Sequence, residues 1–172
     1  GIGALGAVLG LVALGHALSG RQGAPGLVLA YLIAAGIGLH NLGEGLAVGA
    51  ALAAGEIALG TFLVLGFALH NTTEGLAIVA PLGGEARRPS LLHFAAMGAL
   101  AGVPTILGAW AGGFAFSPAW GALAFGLAAG AIAQVVWAIG RSMGTQRFGS
   151  GVAAAGLVCG LLVMYVTGLF TA

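Results

Sequence analysis

GLVLAYLIAAGIGLHNLGEGLAVGAALA, residues 26–53, and IALGTFLVLGFALHNTTEGLAIVAP, residues 57–81, are two long apolar runs separated only by Ala54, Gly55 and Glu56. A membrane-spanning helix needs about twenty mainly apolar residues, with a range of roughly 17–25. Each run meets that length, and a connection this short makes the two helices antiparallel neighbours. Inside them lies a repeat. LHNLGEGLA at residues 39–47 and LHNTTEGLA at residues 69–77 are offset by thirty residues. Together they hold two of the four histidines (His40, His70) and two of the four carboxylates (Glu44, Glu74) of the chain.

The rest of the sequence extends the same pattern. Of 172 residues, 60% are hydrophobic and 5% charged, with no lysine. A soluble domain carries roughly 25% charged residues, so the composition reads as an integral membrane protein in contact with a lipid bilayer. The 34 glycines fit helices that pack backbone to backbone. A net charge of +1 offers no basic patch for nucleic acid. The single Cys159 can form no internal disulfide. Polar or proline-containing breaks give helices over about 1–18, 26–53, 57–81, 91–115, 119–140 and 150–171. The expectation is an all-α membrane protein, one domain over residues 1–172, with six transmembrane helices in a bundle. The first segment lacks the basic start of a signal peptide and reads as a spanning helix with residues missing before it.

All five arginines fall in connections after odd-numbered segments: Arg21, the Arg87-Arg88 pair, Arg141 and Arg147. Positive charge in short loops marks the cytoplasmic side. Both chain termini and the turn at Gly55 are then expected outside, most simply across the cell (inner) membrane. Trp110 and Trp120, flanking the break at 116–118, suit an outer interface.

At about 1.5 Å per residue, His40 and His70 each lie about 22 Å from Gly55, Glu44 about 16 Å and Glu74 about 28 Å. The histidines are level near the midplane, with a glutamate about a turn to either side. Charge at that depth costs roughly 2.5–3.5 kcal/mol per residue on insertion scales and marks function. His and Glu at i, i+4 share a helix face, with Asn at i+1 on its flank. Two neutral imidazoles and two carboxylates sum to −2, which one divalent cation cancels, and this ligand set suits zinc, iron and related ions. The blander alternative, hydrogen-bonded glue between helices, would account for one copy better than for two at matched depth. Gly45 and Gly75 are expected to let neighbouring helices approach, and Thr72 and Thr73 to bond carbonyls one turn back.

These two stretches resemble the signature helices of the ZIP family of divalent-metal transporters, which carry His-Asn-x-x-(Asp/Glu)-Gly and His-(Glu/Asn)-x-x-(Glu/His) around a binuclear site. The match is close over residues 36–81 and loose elsewhere, with the six segments here resembling spans three to eight of eight. The resemblance implies two further spans before Gly1. It assigns His40, Glu44, His70 and Glu74 to a primary metal position, and Asn41 and Asn71 to a second one bridged by the glutamates. Gly43 and Thr73 stand where the family commonly has proline. Ala138 and Ile139 stand near the place of a seventh-span glutamate, so the second position is expected to be weak. The family's long His-rich loop is absent, and only His16 and Arg21 lie near its place.

Gln134, in mid-helix, and His16 are accessory candidates, weighed against plain interhelical bonding and an interfacial role. His93 is expected at the cytoplasmic interface, Glu56 and Glu85 in solvated loops, and Pro104 as a kink. The leading expectation is a transporter, not an enzyme, that moves a divalent transition metal into the cytoplasm. Zinc comes first, with iron, manganese or cadmium as alternatives, and a homodimer is left open. Two other functions compete. An intramembrane metal-dependent hydrolase is disfavoured because His-Glu-x-x-His is absent. A non-transporting metal-binding subunit gains from the missing seventh-span carboxylate.

Overall fold

The computed structural model describes residues 1–19, 25–85, 88–115, 117–144 and 150–169. It is helical throughout, with no strand among the described residues. The helices are α1 (Ile2–Ser19), α2 (Pro25–Ala53), α3 (Ile57–Val79), a 3₁₀ turn (Ala80–Gly84), α4 (Leu91–Ala115), α5 (Pro118–Gly144) and α6 (Ser150–Leu169). Among the described residues, four spans are long and apolar enough to cross a membrane: Pro25–Ala53, Ile57–Gly84, Leu91–Ala115 and Pro118–Ser142. The apolar stretches Ile2–Ala17 and Gly151–Val163 are shorter.

Two boundaries differ from expectation, each for a local reason. The third helix stops at Val79, because Pro81 cannot supply an amide to continue the α-helical ladder and the chain tightens into a 3₁₀ turn. The fifth runs on past residue 140 to Gly144, carrying Arg141 in its last turn, where a cation complements the helix dipole. Arg21, Arg87 and Arg147 lie outside the described residues. At the start of α5, Pro118 occupies the first helical position and the Ser117 carbonyl accepts from the Gly121 amide at 2.8 Å.

α2 is the axis of the fold, with α4, α5, α3 and α1 all packed against it. Its closest partner is α4, and the reason lies in small residues. A Cβ on Gly45 would run into the Thr105 carbonyl, and one on Gly49 into that of Ala109. Reciprocally, a Cβ on Gly108 would strike the Leu42 carbonyl and one on Gly112 that of Leu46. The two backbones therefore touch along a glycine seam, which replaces side-chain burial with direct van der Waals contact. Beside the seam, Ile33, Ile37 and Met97 are the largest fully buried side chains. Pro104 lies inside α4, against Gly38 of α2, and cannot donate to the Leu100 carbonyl.

α3 is joined to α2 by a three-residue turn in which Gly55 has φ +82°. The Glu56 amide donates to Ala51 and the Gly55 amide to Leu52, at 3.0 and 3.1 Å. This is the Schellman arrangement, and its left-handed position favours glycine. Trp110 and Trp120 are exposed on either side of the 4–5 connection.

Candidate metal centre in the α2–α3 hairpin

The hairpin brings the two motif copies face to face. Nε2 of His70 lies 2.6 Å from Oε1 of Glu44. Nε2 of His40, on the same helix as Glu44, lies 3.2 Å from that same oxygen. Ligand atoms of His40, Glu44 and His70 all fall within 4.8 Å of one another. Glu44 is buried and the two histidines are half-buried. The three side chains converge because α2 supplies His and Glu one turn apart on one face, while α3 supplies His70 from the opposite direction.

Glu74 is placed differently. Side chains lean toward the N-terminus of their own helix, so His70 leans toward the Gly55 end and meets Glu44. Glu74 sits a turn further from that end and stays outside the three-residue group. It remains within electrostatic reach of Glu44, His40 and His70, and its carboxylate is approached by the Asn41 side chain. The primary group is therefore a triad with a fourth, flanking carboxylate.

Asn41 is anchored rather than free to swing. Its Nδ2 donates to the Ala101 carbonyl of α4 at 3.1 Å, which leaves Oδ1 buried with no partner. Oδ1 of Asn71 and Oε2 of both Glu44 and Glu74 are likewise buried without a hydrogen-bond partner. Four acceptor oxygens around one hairpin thus lack donors. Unpaired buried acceptors cost about 1–3 kcal/mol each, and a cation is what would satisfy several at once.

The second copy is held by its own helix. The His70 ring packs edge-on to Phe67, with centroids 5.5 Å apart. Such a neighbour restricts ring orientation at a ligand histidine. Thr72 donates to the Ala68 carbonyl at 3.1 Å and Thr73 to the His70 carbonyl at 2.6 Å, the local back-bonding expected of them. Gly75 departs from expectation: nothing lies within 4 Å of a Cβ built there, because no described helix covers that side of α3.

The accessory candidates fall elsewhere. Gln134 lines a narrow cleft with Leu11, Leu32, Ile33, Val135 and Ala138, and no motif residue lines it. Ala138 shares that cleft, whereas Ile139 packs against the core cluster that includes Ile33, Ile37 and Met97. His16 is exposed near the end of α1. His93 shares a hydrogen bond of 2.9 Å with the Tyr31 hydroxyl, tying α4 to α2.

Glu85 corrects the solvated-loop expectation. It is half-buried, and its Oε1 accepts from the Gly26 amide at 2.6 Å. The turn after α3 thereby caps the start of α2, so the two motif helices are tied at both ends. A sign of this was present in the chain. In the sequence the residue before Pro25 is Ala24, which has no side-chain acceptor to offer the first amides of α2.

Comparison with known proteins returns no match: no family model fits the chain, and neither a curated protein nor a solved structure corresponds to it.

Proposed function

We propose that this protein is a divalent transition-metal transporter that admits metal toward the cytoplasm through the α2–α3 hairpin. The observation that carries the reading is the convergence of His40, Glu44 and His70, from two copies of one motif, within 4.8 Å inside helices long enough to cross a membrane. Zinc bonded to nitrogen and oxygen at about 2.0–2.1 Å in a tetrahedron holds its ligand atoms about 3.3 Å apart. The His40–Glu44 distance of 3.2 Å already has that size, and His70 would need to retreat by well under 1 Å from 2.6 Å. Glu74 then supplies the second negative charge, giving −2 against the cation.

Asn41 and Asn71, with free buried carbonyl oxygens, are the ligands of a weaker second position. Transport follows if the helices around a midplane site rock to open it to each side in turn. The arginine distribution sets the direction, with the Gly55 turn outside. The ZIP resemblance supports both site and direction. Zinc is the first candidate cargo, ahead of iron, manganese and cadmium.

The test is zinc uptake by cells expressing the full-length protein, compared with Glu44→Ala and Glu74→Ala variants present at equal membrane levels. Loss of uptake in both is expected. Undiminished uptake with fully inserted Glu44→Ala would overturn the proposal. Wild-type protein that binds zinc but moves none would favour a metal-binding subunit instead.

A further inference from the structure

Where the chain turns from α3 into α4, a cavity of about 470 Å³ opens to the outside. That volume is within the roughly 300–1,000 Å³ of small-molecule sites. Val79, Leu82, Leu91 and Phe94 line it together with Arg88. Leu91 is 85% exposed and Phe94 38%, so the apolar walls are accessible rather than sealed against another helix. Among the described residues no carboxylate pairs with Arg88. Glu85, the acid nearest in sequence, is committed to the Gly26 amide.

We infer that this cavity is a binding site for an anionic phospholipid, with Arg88 on the phosphate and Val79, Leu82, Leu91 and Phe94 against the upper part of an acyl chain. The inference rests on the membrane reading of the helices and not on metal transport. A soluble anion would need the cation alone. The apolar walls beside it match a ligand that is charged at one end and greasy at the other, at the depth where a spanning helix leaves the bilayer. A positive side chain at the cytoplasmic surface attracts anionic lipid, and a long cationic side chain can lay its stem on apolar surface while its head reaches a phosphate. Arg88 offers two parallel N–H donors to that phosphate, a geometry that zwitterionic lipid shields with its own cation.

The experiment reconstitutes the full chain into vesicles of phosphatidylcholine containing a minority of phosphatidylglycerol, then measures co-purifying lipid by native mass spectrometry. Wild type is expected to retain phosphatidylglycerol over phosphatidylcholine on the order of fivefold, the weight of one basic residue at an anionic surface. Arg88→Gln should abolish the preference and Arg88→Lys keep most of it. Since Arg88 is exposed, neither change threatens folding, and unchanged helicity by circular dichroism checks this. Phe94→Ala should lower retention of both lipids. Equal retention of phosphatidylglycerol by Arg88→Gln and wild type would overturn the site, as would its displacement by millimolar inorganic phosphate. Incorporation without any lipid preference sinks this inference alone, and failure to incorporate sinks the membrane reading with it.

Discussion

Around Glu44, α2 is hemmed in: Gly45 abuts the α4 backbone, Gly43 faces Ala128 of α5, and Asn41 is pinned to Ala101. Around Glu74, the other side of α3 lies open, with Gly75 free of neighbours and Thr72 and Thr73 exposed. Half of the most apolar stretch of α2 is buried, against 6% for α3. A repeated motif therefore gives the same chemistry in two mechanical settings. The first copy is fixed into the scaffold, and the second is held through its contact with the first.

The sharpest way to break this comparison is to remove one carboxylate at a time. Glu44→Ala takes away the atom both histidines share and should weaken zinc binding by on the order of 100-fold or more, read by isothermal titration. Glu74→Ala, flanking the triad, should cost nearer tenfold, as outer partners do. Equal losses would mean that the two copies are equivalent after all. Next comes the glycine pair. Gly45→Val must push α4 away and should cost about 2–3 kcal/mol, measured as thermal stability in detergent, whereas Gly75→Val should stay within about 0.5 kcal/mol. Smaller still is the cap. Glu85→Ala should destabilise by about 1 kcal/mol and Glu85→Gln, which keeps an acceptor oxygen, by less. The smallest effect belongs to Thr73→Val on the exposed side of α3, within a few tenths of a kcal/mol in the same melt.

Much of this was readable in advance. Apolar run length placed the α-helices of the described residues to within a few residues, i, i+4 spacing put His40 on one face with Glu44, and the short connection at Gly55 brought His70 alongside. The order of contacts within the hairpin was less legible. Counting rise per residue set His40 and His70 level with each other, but side-chain lean decides which atoms meet, and it sends His70 to Glu44 rather than to His40. Gly75 and Gly45 are indistinguishable as letters, and only the position of α4 separates them. Glu85 looked solvated because an acid in a Gly-rich turn usually is. Its partner lies 59 residues earlier, a distance no local pattern spans. Gln134 looked like a candidate because it is polar in an apolar helix, yet its face of α5 points into a different cleft.

The three-residue turn at Gly55 also bears on how the protein is made. His70 follows Glu44 by 26 residues, so the loop that must close to join them is short and entropically cheap. A ribosome adding roughly 5–20 residues per second delivers the partner in about 1–5 s. The buried carboxylate of α2 therefore waits only seconds for its imidazole, and the hairpin can close as one unit before the later helices are made.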